Sequence, residues 1–329
     1  MLHLSQNPSP SSTEHPLDVI TSALSFISKG SKTALVFVTD ILGGAVRARG
    51  AVMAVSEDGE IAGYLSGGCI DADVKMQAIS AIREAKFKTL RYGEGSPFYD
   101  LKLPCGGAIE VSICPNLSPA VLSSISQQLH KRKPISIKVS PQGQVLIDTP
   151  RFSDPPPIPE WKNGSFHVTY LPKLQLRIAG RGTDPIALAR IANASGIPVS
   201  LWSPDTDTLE IANLENIPQS LHLKTSDTTP QHNDDIWTAF VLMFHDSQWE
   251  TSLLKNALAG DAFYVGAVGS AKTHAKRCIL LQEAGIEKDE IDRIHAPIGL
   301  VPSLRDASML AISTLAEIID AFQKRHTPS

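Results

Sequence analysis

Three short turns in the first third of the chain join glycine to chemically capable side chains: Gly43-Gly44 with Arg47 and Arg49, Ser66-Gly67-Gly68-Cys69, and Pro104-Cys105-Gly106-Gly107. Glycine lets backbone amides approach a bound group closely, arginine grips phosphate with a planar cation, and cysteine adds a soft, polarizable ligand. Together they describe a pocket for something anionic that contains sulfur or a metal. Each type also has a plainer role: lone cysteines are usually buried thiols, and arginines beside Gly50 can simply face solvent. Both cysteines stand in glycine turns rather than apolar runs, and Cys69 directly precedes a helical stretch whose N-terminal partial charge favours a thiolate. That points to reactive or ligand roles. With no Cys-x-x-Cys pair, the spacing argues against structural zinc, and Cys114 and Cys278 are left as core or surface thiols.

The second half carries further candidates. Gly180-Arg181-Gly182 follows an apolar run and leads into a helical stretch, the context of a dinucleotide fingerprint. Pro185 takes the place of the third glycine, and the first acid beyond the next strand is Asp205, past the roughly 20-residue distance at which a ribose-binding acid stands. The loop either binds a nucleotide or phosphate or serves only as a turn. His245-Asp246 ends the apolar run 236–244; there a histidine relays protons, binds metal, or marks the cap of the next helix. Gly269-Ser270 forms another strand-to-helix turn, with Ser270 a natural cap and Lys272 near an anion-favouring helix start.

The elements that must hold these turns fall into two styles. Leu17, Ile20, Leu24 and Ile27 recur at helical spacing up to Gly30. Strands are expected over 34–38 and 108–113, and a hairpin over 51–55 and 60–65 through Asp58-Gly59, with a helix over 70–86. Between 115 and 172 lie a helix candidate, short strands at 135–139 and 145–148, and the proline run of 154–159, which marks a boundary or stiff connector. From 174 onward strands (174–179, 199–202, 236–244, 263–268) alternate with helices (184–194, 247–258, 270–284, 306–324). That alternation predicts a doubly wound parallel sheet with ligands at the C-terminal strand ends. The expected organisation is a domain over 14–115, an intermediate region with a proline-rich connector over 116–172, and a Rossmann-like domain over 173–325.

Composition bounds the partners. With 329 residues, 42% hydrophobic and 19% charged, the chain suits two globular domains rather than disorder. A net charge of −4 and the lack of aromatic interleaving in its short basic runs argue against nucleic acid. No run of about 20 apolar residues argues for a membrane span, and the polar N-terminus has no apolar signal core. A cytoplasmic protein with reduced thiols is expected.

Arg47 to Val55, Ser66 to Cys69 and Cys105 to Gly107, followed in order by the Gly180 turn, His245-Asp246, 265–270, 297–300 and 315–317, give the chain its resemblance to the XdhC/CoxI family. These are the accessory proteins of xanthine dehydrogenase and related molybdenum hydroxylases. The resemblance covers roughly 34–113 and 174–320 and implies an α/β fold: an N-terminal mixed α/β XdhC-type domain and a C-terminal doubly wound Rossmann-like parallel sheet. It further implies a non-enzymatic chaperone that binds molybdenum cofactor (molybdopterin), supports its sulfuration and inserts it into an apo-molybdenum hydroxylase of the xanthine or aldehyde dehydrogenase type. A cysteine desulfurase and a second copy of the chain, as a homodimer, are the further partners expected. Carried over by position, Cys69 and Cys105 would contact the molybdenum or its sulfur. Arg47, Arg49, Gly67, Gly68, Gly106, Gly107, Gly180, Gly182, His245, Asp246, Gly269 and Ser270 would complete the cofactor-binding set. The chain departs from the family pattern at Thr183, Ser203, Glu250 and Ser308-Met309, which weakens a nucleotide role for the second half. The alternative is an NAD(P)-dependent oxidoreductase using that half for the dinucleotide, with His245 as the proton-transfer residue.

Overall fold

Strand β1 explains why the first third reads as a continuous apolar run: it is covered on both faces. The computed structural model describes residues 14–66, 68, 70–96, 106–149, 153, 155–226, 230, 234–244 and 249–326. The first unit runs to Pro172 and the second begins at Lys173.

In the first unit the elements are α1 (Pro16–Ser28), β1 (Thr33–Leu42), β2 (Val52–Ser56), β3 (Ile61–Ala62), α2 (Asp71–Glu84), β4 (Lys88–Gly93), β5 (Ala108–Cys114), α3 (Pro119–His130), β6 (Ile135–Val139), β7 (Val145–Ile147), β8 (Glu160–Lys162) and β9 (Ser165–Tyr170). Pro16 opens α1 where its missing N–H is no loss, and His15 Nδ1 accepts from the Leu17 amide at 3.1 Å. Five strands pair antiparallel in the order β3-β2-β1-β5-β4. Ala34, Val36 and Val38 of β1 pack with Val74, Ala78 and Ile82 of α2, while Leu35 and Phe37 face the other way into a core with α1 and α3.

The stretch after β5 does not stand apart from that core. A second antiparallel sheet, β7-β6-β9-β8, contributes Ile137, Val139, Phe166 and Val168 to the same cluster as Leu35 and Phe37. Tyr170 is pinned there by its hydroxyl, which donates to Gly50 O at 3.1 Å.

The second unit alternates as its sequence pattern requires: β10 (Gln175–Gly180), α4 (Thr183–Ala194), β11 (Val199–Ser203), α5 (Thr206–Leu214), β12 (Gln219–His222), β13 (Thr238–Met243), α6 (Glu250–Leu258), β14 (Tyr264–Ala267), α7 (Ala271–Glu283), α8 (Lys288–Ile291), β15 (Ile294–His295) and α9 (Ala307–His326). All six strands are parallel, in the order β12-β11-β10-β13-β14-β15. The order reverses between β10 and β13, the crevice where open α/β sheets take ligands. One face packs Leu176, Ile178, Leu201 and Val241 under α4 and α9, and the other packs Ala179, Phe240 and Leu242 under α6. Arg177, 1% exposed, is the polar intruder on the second face: it donates to both Asp234 oxygens and lies 4.4 Å from the Trp202 ring and 4.5 Å from Phe240. Among the described residues no helix is long and apolar enough to cross a membrane.

Candidate functional site

Strand pairing carries the three N-terminal turns to one end of the first sheet. Leu42, the last residue of β1, pairs with Ala108, the first of β5, and Ala108 also pairs with Gly93 at the end of β4. The loops after β1, after β4 and before β5 therefore leave the sheet together. Gly107 is the tightest point: a Cβ there would stand 2.5 Å from Gly44 O and 2.6 Å from Leu42 O. Only glycine lets the third turn lie against the first.

The second turn reaches the same end through the hairpin, because β3 pairs with β2 as Ala54 with Ala62 and Val55 with Ile61 and so runs back toward the β1 exit. Tyr64 then meets the first turn. Its ring lies 4.7 Å from the Arg47 guanidinium carbon, and its hydroxyl donates to Glu14, which also accepts from Arg47 Nη1 at 2.6 Å. Those bonds, that from Tyr64 foremost, hold the Glu14 carboxyl below its usual range, and the bond to Glu14 pushes the Tyr64 hydroxyl up. Arg47 Nε is buried without a hydrogen-bond partner among the described residues. Arg49 is engaged as well, by Asp40 and by Pro159 O at 3.4 Å. The two cations expected as an open clamp are thus each met by a carboxylate of the chain, from positions that no local sequence pattern links to them.

The turn carrying Ser66 is closed by Asp71. Its Oδ1 accepts from the amides of Leu65 at 3.0 Å and Ser66 at 3.1 Å, and Oδ2 accepts from Gly68 at 2.7 Å. Ser66 Oγ accepts from the Ile70 amide at 3.1 Å. The positive helix start expected beside Cys69 is therefore answered by the chain's own carboxylate at the first residue of α2. Gly67, Cys69 and Cys105 lie outside the described residues, as do His245 and Asp246. Of the second turn Ser66 and Gly68 are described, and of the third Gly106 and Gly107. A cavity of about 560 Å³ opens at the other end of the same sheet, lined by Ile27, Thr33, Ile82 and Leu117, and carries none of the candidate residues.

In the second unit the glycine turns do structural work. A Cβ on Gly180 would stand 2.7 Å from Met243 O, so glycine there admits β13. Gly182 N donates to Thr208 Oγ1 at 2.9 Å. Ser203 is fully buried, its Oγ accepting from Asp205 N at 3.2 Å. Asp205 in turn caps α5: the hydroxyl and amide of Thr208 donate to its carboxyl and hold it below the usual range. Asp205, the first acid beyond β11, is therefore engaged as a helix cap. Ser270 caps α7, accepting from Thr273 N at 3.1 Å. Glu250 pairs through both oxygens with Arg277, at 2.9 and 3.1 Å, and Arg277 Nη2 also donates to Val268 O at 2.8 Å, which ties α6 and α7 to the end of β14.

Two stretches that carry the resemblance, 297–300 and 315–317, come together here. Glu317 of α9 accepts from the Gly299 amide and lies 3.3 Å from His295 Nδ1, while the His295 ring stacks on Tyr264 at 4.4 Å. Burial is the largest influence on Glu317 and pushes it upward, yet the bonds from His295 and Gly299 outweigh it and hold the carboxyl low. Of the remaining thiols, Cys114 is fully buried in β5 and pushed far up by burial, and Cys278 is half-buried on α7 with its sulfur 3.6 Å from His274 Nε2.

Residues 26–93 match the model of the XdhC and CoxI family, and 176–318 match that of the XdhC Rossmann domain. The first match contains Arg47, Arg49 and the Ser66 to Cys69 turn and stops short of Cys105. The molybdenum cofactor insertion chaperone PaoD of Escherichia coli K12 is 33% identical over 306 residues, 93% of this chain and 88% of that protein. A probable xanthine dehydrogenase subunit from Bacillus subtilis 168 is 24% identical over 320 residues, 87% of this chain and 92% of that one. In three dimensions the chain is similar to a xanthine dehydrogenase structure from Bacillus halodurans, with a TM-score of 0.75 over 94% of this chain and 97% of that one; at 21% identity the likeness is one of fold.

Proposed function

We propose, because the chain belongs to the XdhC and CoxI family, that it is an accessory protein that binds molybdenum cofactor, holds it while its sulfurated form is made, and inserts it into an apo-molybdenum hydroxylase of the xanthine or aldehyde dehydrogenase type. The cytoplasm is where this work would take place, with a cysteine desulfurase as the source of sulfur. The observation that carries the proposal is the convergence of three turns at one sheet end, with Gly107 against Gly44 and Arg47 against Tyr64. The likeness to PaoD, named as a molybdenum cofactor insertion chaperone, supplies the cargo.

The cargo's chemistry suits that sheet end. Molybdopterin presents a phosphate and a dithiolene-bound metal, which call for cationic side chains and soft ligands within one small volume. Arg47 and Arg49 supply the cations. Cys69 and Cys105, one in each of the neighbouring turns, supply the thiols. Since both arginines already hold carboxylates, cargo phosphate would compete with Glu14 and Asp40 for them, a grip that is reversible by construction. An oxidoreductase working on NAD(P) gains no comparable support, because Ser203 replaces the ribose acid and Asp205 is committed to its helix.

The proposal is tested by transfer. Apo-hydroxylase incubated with cofactor-loaded protein should gain activity faster than with free cofactor, and Cys69→Ala and Cys105→Ala proteins should lose that advantage. Equal activation by the double variant would refute the assigned role of the thiols.

A further inference from the structure

Arg47 spends its guanidinium differently from three other arginines of the chain. Arg177, Arg190 and Arg277 each grip a carboxylate with Nε and Nη2 together, the paired edge that matches two oxygens. Arg47 gives Glu14 only Nη1, and its Nε, on the paired edge, is buried without a partner among the described residues.

The carboxylate that meets it stands on a fixed arm. Glu14 precedes His15, the N-cap of α1, and α1 is anchored by Val19, Ile20, Ala23 and Phe26. Gly63 brings Tyr64 up to the same helix, because a Cβ there would stand 3.0 Å from Val19 Cγ2 and 2.7 Å from Val52 O. Arg47 and Tyr64, 33 and 50 residues further along the chain, then close on Glu14, one on each oxygen. Capping does not explain this carboxylate, since His15 Nδ1 is the group that caps α1. A hydroxyl and a guanidinium converging on it from separate segments make a receptor for an oxyanion, filled here by the chain itself.

We propose that Tyr64 binds phosphate together with Arg47, and that Glu14 is the gate of that site: its carboxylate stands where the phosphate binds and leaves as a phosphate monoester enters. The inference rests on the phosphate-bearing cargo proposed above for the same turn. One cation cannot hold a dianion and a carboxylate together without setting like charges side by side, so entry and departure are one event. The unspent Nε then supplies the parallel bond that Glu14 does not take, and the Tyr64 hydroxyl passes from carboxylate to phosphate. Asp71, whose charge also bears on Tyr64, is tied to three amides and stays in place. The consequence is selectivity. A phosphate held by these donors alone competes poorly with a carboxylate tethered beside them, whereas one anchored by the rest of a larger ligand displaces it. Free phosphate is turned away, and a phosphate monoester with a body to anchor it is taken.

Inorganic phosphate is the probe, titrated into the full chain at low ionic strength while the Arg47 Nε–H resonance, assigned by its loss in Arg47→Lys, is followed. Glu14→Gln keeps the shape of the side chain and removes its charge. It should bind phosphate roughly tenfold tighter than wild type, as expected when the open site rises from about a tenth of the molecules to most of them. Adding Tyr64→Phe to Glu14→Gln, with circular dichroism unchanged, should take back most of that gain, which a tyrosine of merely structural role would not do. Equal phosphate affinity in wild type and Glu14→Gln, or a gain that survives Tyr64→Phe, overturns the proposal. Failure of the cargo reading looks different: a protein that retains no molybdenum cofactor, yet binds phosphate tighter as Glu14→Gln and loses the gain with Tyr64→Phe, keeps its gate and serves another phosphate monoester.

Discussion

Three amides end on one carboxylate at Asp71, so the second turn owes its shape to a residue outside its own glycines. Asp71→Ala should leave the Leu65, Ser66 and Gly68 donors without their acceptor and cost on the order of 2 kcal/mol. Faster hydrogen exchange at those three amides, with the rest of the first unit unchanged, is the expected signature; unaltered exchange would contradict it. Glu317 offers a second test. Because its folded pKa lies below the ordinary glutamate value of 4.5, its contribution to stability is fully present above that value and is lost as pH falls through the lower folded one. Melting temperatures of wild type and Glu317→Gln should therefore begin to draw together as pH falls below 4.5 and meet only once it has passed the lower folded value. The site chemistry at this scale was half legible. Glycine and cysteine announce the turns, and an acid at a helix start is a readable sign. That Arg47 would meet Glu14, and Arg49 Asp40, depends on contacts between segments far apart in the chain.

Elements were easier to read where burial is two-sided or the helical period is strong. The apolar runs of β1, β5, β10 and β13 and the helices α1, α2, α4 and α9 follow from pattern alone. Strands β4 and β9 escaped it, β4 because its residues are mostly part-exposed and polar, and β9 because its alternation follows a proline run that looked like a connector. That is why 116–172 read as an intermediate region, although β6 and β9 share a core with β1. Two substitutions probe what holds the elements. Gly107→Ala drives a methyl into the carbonyls of Gly44 and Leu42, which are backbone and cannot swing aside, so the first and third turns must separate; a fall in stability of about 1–3 kcal/mol in denaturant unfolding is expected. Arg177→Met strands Asp234 without its guanidinium beneath the parallel sheet. The expected loss is about 3–5 kcal/mol, largely recovered when Asp234 is also made apolar. Full stability in the single variant would show that the pair holds nothing.

For the molecule as a whole, carrying and releasing a cofactor demands a grip that differs between the free and partner-bound states, since a carrier with equal affinity in every state delivers nothing. In the first unit Arg47 and Arg49 are each met by a carboxylate of the chain, and Gly107 lies against Gly44 where β1 and β5 meet. The second unit keeps the doubly wound architecture and spends its glycine turns on packing and capping. Retention of cargo decides the matter most directly. Protein saturated with molybdenum cofactor, freed of excess by gel filtration and assayed for molybdenum and pterin, should keep the two in equal amounts in the wild type and lose both in Cys69→Ala and in Cys105→Ala. Undiminished molybdenum and pterin in both variants would contradict a grip built from those two turns.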